Sequence, residues 1–350
     1  MTNPFFSTGL AVSLVIGVGL QLACGSSDAT STLTTSPNPS ATEQLYPSDV
    51  LPFLDKWKIL NGDGSRSDEL VGYEAPGFFY ATTVSDTNWV VYKTPNAGVT
   101  SRTSSNTRTE LGEIRRWKLE EGGRLTGTLK VMHVSTTGDA RVAASHSVIV
   151  GQIHSVDGHE NEPLKIFFKK YPEHETGSVF WNYEINTAGD DNGGRWDYST
   201  AVWGHDMFEL GEAPNVAPPE PVDGVALGEE FSYTVDVDKG VMTLTFERAG
   251  HAPKTFTKSL VSSVYTKDLD LPDQIRTYYA ALGRDGNERP QAYAGERQIF
   301  KQGAYNQTNG KAPADNMVWS TGAETYSGDI EQQYANGAYA EVWFREGSLR

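Results

Sequence analysis

Short runs in which apolar and polar side chains alternate recur along the chain after residue 77, and they predict β-strands. Residues i and i+2 of a strand lie on the same face, so this two-residue period is typical of a sheet with one buried face. The runs are rich in β-branched and aromatic residues, as strands usually are. They cover 78–84, 89–92, 127–134, 147–154, 164–169, 231–237, 241–246 and 338–344. Helical periodicity is weak except around 48–60 and 271–282.

Many short strands separated by glycine-rich turns indicate an all-β protein, and they favour a β-sandwich or jelly roll. Asp238-Lys239-Gly240 separates two of the runs and has the composition of a hairpin turn. Two long polar stretches, 186–200 and 306–316, predict functional loops, and the first has the composition of a mobile lid. No comparable linker follows residue 47, so we expect a single domain over 48–350.

The first 47 residues have a different pattern, which predicts export. An apolar stretch over roughly 5–22 is typical of a signal-peptide core, and the signal peptide is taken as residues 1–24. Leu22-Ala23-Cys24-Gly25-Ser26 resembles a bacterial lipobox, so Cys24 is the predicted site of lipid attachment. Residues 25–47 are rich in Ser, Thr and Pro and predict a disordered tether. We expect an outer-membrane or cell-surface lipoprotein, or a secreted or periplasmic protein; an ordinary signal peptide or an anchor helix are the alternatives.

Net charge and cysteine content limit the classes of partner and the kinds of cross-link that we expect. The net charge of −16 argues against nucleic acid, which needs a basic face. It does not exclude a polyanionic substrate, because basic residues can gather in one groove and salt screens the remaining charge. Cys24 is the only cysteine, so an intramolecular disulfide is ruled out. His154 and His159 lack the partners that complete a zinc pattern, so we predict no metal. We also expect no cofactor and a monomeric protein.

Three separate segments carry polar groups at alternating positions of predicted strands. They are Arg108-Thr109-Glu110-Leu111, Gln152-Ile153-His154 and Lys301-Gln302-Gly303-Ala304-Tyr305-Asn306-Gln307. Strand parity places three sets of side chains on common faces: Arg108 with Glu110, Gln152 with His154, and Lys301 with Tyr305 and Gln307. If the three strands are neighbours in one sheet, these groups line a single surface.

That set of groups suits β-elimination in a polymer of uronic acids. A base removes the proton on carbon 5, and the oxygen on carbon 4 leaves. The proton is weakly acidic because the adjacent carboxylate is already charged, so a cation and an amide must neutralise that charge and stabilise the enolate-like intermediate. Arg108 and Gln152 supply these groups, and His154 and Tyr305 supply a base and an acid.

The three segments resemble the signature regions of polysaccharide lyase family 7, the alginate lyases. The matching stretches are 108–111 for Arg-Ser/Thr-Glu-Leu, 152–154 for Gln-Ile/Val-His, and 299–307 for Tyr-Phe-Lys-Ala-Gly-Val-Tyr-Asn-Gln. In the last stretch Ile299 replaces the first Tyr, whereas Lys301 and Tyr305 are kept. The likeness spans roughly 48–350, and three motifs in family order make it specific.

The resemblance implies a jelly roll of two antiparallel sheets with substrate in the concave groove of one sheet. It assigns carboxylate neutralisation to Arg108 and Gln152, and shared base and acid roles to His154 and Tyr305. Ile153 is typical of members that act on guluronate-containing blocks, so we expect guluronate or mixed alginate as substrate. Further residues predicted to bind substrate, two of them from strand parity, are Glu110, Lys165, Lys169, Arg195, Lys301, Asn306 and Gln307. Trp181 and Tyr183 are weaker candidates, for stacking on sugars.

Two other functions remain open at this point. A jelly-roll glycoside hydrolase would need a pair of carboxylates across the cleaved bond, and no strand has the Glu-x-Asp-x-x-Glu spacing of sandwich hydrolases. A tethered protein that binds uronate polymers without cutting them would need cations and aromatic residues alone. It would have no use for His154 and Tyr305, so their joint presence favours the lyase.

Overall fold

Antiparallel strands make up nearly all the regular structure in a computed structural model of the protein. The structure describes residues 44–100, 104–139, 142, 144–157, 162–185, 196–206, 218–260, 296–309 and 329–350. The strands are β1 (Trp57–Leu60), β2 (Arg66–Ser67), β3 (Phe79–Val84), β4 (Thr87–Pro95), β5 (Arg108–Glu113), β6 (Trp117–Lys118), β7 (Gly123–His133), β8 (Ser147–Ser155), β9 (Leu164–Lys169), β10 (Thr176–Ile185), β11 (Trp196–Trp203), β12 (Val225–Ala226), β13 (Glu230–Asp238), β14 (Val241–Arg248), β15 (Lys254–Ser259), β16 (Arg297–Asn306) and β17 (Tyr339–Leu349). Two short helices, α1 (Pro47–Val50) and α2 (Ile330–Ala335), and a 3₁₀ turn at Leu54–Lys56 accompany them.

The strands form two antiparallel sheets that pack face to face. The first has the order β11-β10-β9-β8-β16-β5-β1-β2, with β12 paired to β10 and β6 to β16. The second has the order β15-β14-β13-β7-β17-β4-β3. Strands distant in sequence, such as β8, β16 and β5, are direct neighbours, so the predicted jelly-roll sandwich is confirmed.

Large aromatic side chains from both sheets fill the space between them. Trp181 of the first sheet packs against Phe256 of the second, and Trp203 packs against Phe231 and Phe246. Aromatic pairs at these tilted angles bury large apolar area, which is the main favourable term in folding. Tyr183 is buried in the same core. The core is therefore continuous, and residues from Gln44 onward form one compact unit.

The eight predicted strands are all present, with ends that shift by a few residues, whereas β10, β11 and β15 were not predicted. The hairpin prediction is also confirmed, because Lys239 and Gly240 form a two-residue loop with positive φ between β13 and β14. Two predictions were wrong. The helical period of 48–60 ends early, since Trp57–Leu60 is strand β1 and pairs with β5, and the loop predicted over 186–200 includes the start of β11.

Several predictions fall on residues outside the described ranges. These are the signal peptide with Cys24, most of the tether, Arg195, the helical stretch 271–282, and most of the two predicted loops. Among the helices that the structure does describe, none has the length and apolar character needed to cross a membrane.

Candidate active site

The three motif strands are neighbours in the first sheet. β16 lies between β8 and β5, with Lys301 opposite Gln152 on one side and Tyr305 opposite Arg108 on the other. Parity then places six polar residues on the face that points away from the core, which we call the site face. They are Arg108, Glu110, Gln152, His154, Lys301 and Tyr305.

A β-bulge in β8 puts Gln152 and His154 on this face. Val148 and Val150 point into the main core, and simple alternation would send Gln152 and His154 there as well. The register of β8 against β9 shifts between Ile149 and Gly151, which inserts one extra residue and reverses the parity. As a result Ile153 is buried in the core and the two polar residues face outward.

Gly303 allows β16 to lie close to β5 between Lys301 and Tyr305. Its φ is +146°, and an added Cβ would lie 2.6 Å from the carbonyl oxygen of Thr109 and 2.9 Å from Cα of Glu110. Any side chain would therefore push the two strands apart. The glycine keeps Tyr305 opposite Arg108 across the strand pair.

Glu110 links the two groups predicted to neutralise the substrate carboxylate. Nη1 of Arg108 donates to Oε2 of Glu110 at 3.2 Å, and Nε2 of Gln152 donates to Oε1. Glu110 is only 4% exposed, so this carboxylate orients the guanidinium of Arg108 and the amide of Gln152 from the buried side of the site. Its position favours alignment of its neighbours over the direct substrate contact that was predicted, since an anionic substrate would be repelled by it.

Two polar atoms of this network are left without partners. Within the described part of the chain, Nε of Arg108 and Oε1 of Gln152 are buried and make no hydrogen bond. Buried polar atoms are almost always satisfied, and exceptions mark places where a ligand or water belongs. The Nε–H of Arg108 suits a carboxylate oxygen, whereas Oε1 of Gln152 is an acceptor and suits a hydroxyl group or water.

Tyr305 is held by two contacts, one to its ring and one to its hydroxyl. The guanidinium carbon of Arg108 lies 3.7 Å from the ring centroid, a cation–π arrangement. Ser104 Oγ lies 3.1 Å from the Tyr305 hydroxyl and accepts from Nη2 of Arg108 at 3.2 Å. Ser104 was missed by the sequence analysis, because it lies in a Ser/Thr-rich stretch without strand alternation.

His154 is neutral and has a defined tautomer. Nδ1 lies 2.6 Å from the carbonyl oxygen of Ser155, so Nδ1 carries the proton and Nε2 presents a lone pair. Burial, followed by the positive charge of Lys301, lowers the pKa of His154 to about 3. Nε2 is 3.6 Å from Oε1 of Glu162, another residue that the sequence analysis missed.

Lys301 supplies a second cation beside Arg108. Burial lowers its pKa to about 8, against the opposing effect of Glu110, and the side chain keeps partial exposure. Lys301 and Arg108 are therefore both charged near neutral pH and both reach the surface of the site face, where a carboxylate can approach.

The other end of the site face, on β9 and β10, is closed. All of its side chains there are buried: Lys165, Phe167 and Lys169 on β9, and Ser178, Phe180, Asn182 and Glu184 on β10. Phe167 and Phe180 stack with ring centroids 4.9 Å apart and form a small cluster with Ile149, against which Tyr305 packs. The accessible surface beside β8 therefore does not continue onto β9 and β10.

The two predicted lysines of β9 share the site face but are engaged within the protein. Lys165 Nζ lies 2.6 Å from Glu184 and 3.3 Å from Glu162. Lys169 donates to the carbonyl of Ser145, and burial lowers its pKa to about 7. With 2% and 1% of their surface exposed, Lys165 and Lys169 are not positioned to meet substrate carboxylates in this structure.

Four remaining candidates lie away from the accessible site. Asn306 is fully buried, and its amide donates to Asn96 Oδ1 at 2.8 Å. The amide therefore stabilises the chain that follows β4 and does not face the substrate. Gln307 is 4% exposed, and its amide reaches the carbonyl of Tyr305. Trp181 and Tyr183 point into the core, which rules out sugar stacking by these rings.

Metal ligands are not clustered in this site. Within the described ranges, no group of three or more His, Cys, Asp or Glu side chains is arranged to hold a metal ion. The chemistry that the described groups can perform is neutralisation of an anion by Arg108 and Lys301, and proton transfer by His154 and Tyr305.

Comparison with known proteins agrees with this arrangement. The alginate lyase family model matches residues 52–349. An alginate lyase from Klebsiella pneumoniae is 29% identical over 272 residues, which cover 70% of this chain and 76% of that protein. The crystal structure of the exolytic PL7 alginate lyase AlyA5 from Zobellia galactanivorans is 63% identical, with a TM-score of 0.78, and the match covers 87% of this chain and 97% of that one.

A more distant structure shows the same fold. The crystal structure of the alginate lyase from Klebsiella pneumoniae has a TM-score of 0.61 at 23% identity, covering 87% of this chain and 98% of that one. The family match extends over most of the chain and includes β5, β8 and β16, which carry the site. This chain therefore belongs to the alginate lyases of polysaccharide lyase family 7.

Proposed function

We propose that the enzyme cleaves the 1,4-linkage of alginate by β-elimination at the surface formed by β5, β8 and β16. The observation that carries this proposal is the convergence of Arg108, Gln152, His154 and Tyr305 on one face, next to a buried donor and acceptor without partners. A binding protein would need only the cations. The described carboxylate closest to Arg108 is already engaged by Arg108 and Gln152, which leaves it unsuited to hydrolysis.

The reaction has two proton transfers. Arg108, Lys301 and the second N–H of the Gln152 amide, whose first N–H is donated to Glu110, hold the substrate carboxylate and stabilise the charge that spreads into it as the C5–H bond breaks. Nε2 of His154 accepts the C5 proton, since its lone pair is free while Nδ1 is committed to Ser155. The electrons form the C4–C5 double bond, the C4–O bond breaks, and the Tyr305 hydroxyl protonates the leaving oxygen.

The Tyr305→Phe variant tests this assignment. It removes one hydroxyl and keeps the ring under Arg108, so binding and folding should change little. Loss of a general acid should lower kcat by about 10²–10⁴-fold. The assay follows the near-ultraviolet absorbance of the new double bond during incubation with alginate. Turnover within about tenfold of the wild type would contradict the role of Tyr305.

We further propose that cleavage is exolytic. The relative at 63% identity is an exolytic enzyme, and the site face is accessible at β8, β16 and β5 but buried at β9 and β10. A polymer that cannot continue past β8 must enter by one end. The size distribution of early products distinguishes the modes: exolytic cleavage releases small products of one size and leaves the polymer viscosity nearly constant, whereas endolytic cleavage lowers viscosity at once.

Guluronate-containing or mixed blocks are the proposed substrate, and support comes from the Gln-Ile-His motif. Ile153 is in the core, so it would act by setting the position of β8. Initial rates on guluronate and mannuronate blocks decide the preference.

We also propose that the protein is exported and anchored through acylated Cys24, with 25–47 as a tether, on the basis of the sequence pattern alone. Radiolabelled palmitate should be incorporated by the wild type and not by Cys24→Ser.

A further inference from the structure

Glu162 lies next to the basic nitrogen of His154. It is two residues before β9, and its Oε1 is 3.6 Å from Nε2 of the imidazole. On the opposite side of the ring, Nδ1 donates to the carbonyl oxygen of Ser155 at 2.6 Å. Nε2 therefore presents its lone pair to a carboxylate oxygen. While Nε2 carries no proton, both atoms are hydrogen-bond acceptors and no hydrogen bond joins them. When Nε2 takes up a proton, the contact becomes an ion pair.

From this geometry we propose that Glu162 is a positioning residue, which acts through His154 by stabilising the imidazolium formed when Nε2 takes the C5 proton. The inference rests on the proposed function, in which His154 is the base. Glu162 does not touch the reacting atoms in this role. Its carboxylate makes the proton-bearing state of the ring more favourable, because a negative charge then lies beside the protonated Nε2.

The other charges around His154 act in the opposite direction. Lys301 on β16 and Arg108 on β5 both disfavour a positive imidazole, and burial disfavours it further. Among the groups identified as acting on the ring, Glu162 is the carboxylate that favours the charged form. A base works best when its pKa is near the working pH, and His154 in the free site is far below that. Substrate carboxylates offset the two cations on binding, and Glu162 contributes a fixed negative charge that is present throughout.

Glu162 is held in place by an ion cluster. Its Oε2 lies 3.3 Å from Nζ of Lys165, and the same Nζ lies 2.6 Å from Oε2 of Glu184. Lys165 and Glu184 are almost fully buried, so this part of the cluster is shielded from water, while the side chain of Glu162 is 16% exposed. Lys165 thereby gains a role that differs from the substrate contact predicted from strand parity: it fixes the carboxylate behind the base.

The Glu162→Gln variant tests the proposal through the pH dependence of turnover. Gln keeps the shape and loses the charge, so we expect kcat to fall by about 10–100-fold, with KM changed by less than about threefold. The acidic limb of the kcat profile should move to lower pH, because the imidazolium has lost its stabilising partner. A merely structural role would lower the melting temperature without moving this limb.

Glu184→Gln is the matched control. It alters the same ion cluster through Lys165, whereas Glu162 contacts the imidazole directly, so it should leave the acidic limb in place. If Glu162→Gln folds poorly, Glu162→Asp keeps the charge farther from the ring and should lower kcat by less than about tenfold, with a smaller limb shift than the one expected for Gln.

The outcomes separate the inference from the proposed function. Turnover by His154→Asn near the wild-type rate would overturn the assignment of the base and with it the role of Glu162, while alginate cleavage itself would stand. An inactive His154→Asn together with a Glu162→Gln variant whose kcat is within about twofold of the wild type, and whose limb is unmoved, would overturn only the role of Glu162. Equal limb shifts in Glu162→Gln and Glu184→Gln would also overturn it, because the effect would then belong to the cluster as a whole.

Discussion

Replacing Glu113 with Ala should destabilise the protein by several kcal/mol. Glu113 is the last residue of β5 and is 2% exposed. Its Oε2 accepts from the indole nitrogen of Trp117 at 2.9 Å and from the backbone nitrogen of Phe300 at 3.0 Å. Its Oε1 accepts from Nε of Arg115 at 3.2 Å. One carboxylate therefore ties β5 to β6 and β16 immediately beside Lys301.

The magnitude follows from the donors that would lose their acceptor. The Trp117 ring and the Phe300 backbone are fully buried, and each unsatisfied donor costs about 1–3 kcal/mol. The Arg115 side chain is half exposed, and water can replace its partner at little cost. We expect a loss of about 2–6 kcal/mol for Glu113→Ala, which is a large part of the stability of a typical domain.

Glu113→Gln is the control, measured alongside by urea denaturation with a fluorescence readout. The amide oxygen can still accept from Trp117 and Phe300, so the loss should stay below about 1.5 kcal/mol. Burial raises the pKa of Glu113 against the lowering effect of its hydrogen bonds, so the folded state disfavours the carboxylate. The free energy of unfolding that protonated Glu113 contributes is therefore present below the ordinary carboxyl pKa. It is lost as the pH rises through the raised pKa of the folded state, and the Gln variant has no such pH dependence.

The comparison also has a functional readout. Phe300 precedes Lys301, so weakening this contact should loosen the register that sets the site, and Glu113→Ala should lose activity that Glu113→Gln keeps. Equal free energies of unfolding for the two variants, within about 0.5 kcal/mol, would refute the reasoning, because the hydrogen bonds would then not be the source of the effect.

Two further predictions concern β16. Gly303→Ala should lower both kcat and the melting temperature, and the strained backbone should cost about 1–3 kcal/mol of folding free energy. Gly112→Ala is the control and should be nearly neutral, because its Cβ would meet nothing closer than 3.7 Å. Equal effects of the two substitutions would contradict the close approach of the strands at Gly303. Because burial lowers the pKa of Lys301 to about 8, kcat/KM should fall as pH rises above that value and the cation is lost. Lys301→Arg stays charged and should abolish this alkaline limb, and a limb that persists in the variant must come from another group.

The sequence alone determined the fold class and many of the strands, and it named candidate catalytic groups. Period-two alternation is a local property, and Leu164–Lys169, for example, is a strand with the predicted bounds. The four residues Arg108, Gln152, His154 and Tyr305 could be named because their motifs resemble a family pattern. Alternation also indicated correctly which members of each motif share a face.

Tertiary structure decided which strands are neighbours, where parity reverses, and which charges reach the surface. The bulge that turns Gln152 and His154 outward leaves no signal in the local alternation, because Val148 and Val150 continue the same apolar pattern. Lys165 and Lys301 look alike in sequence, yet packing buries the first against two carboxylates and leaves the second beside Arg108. Glu162 had no recognisable pattern at all, since its role depends on a contact across strands, and such contacts exist only once the sheet has formed.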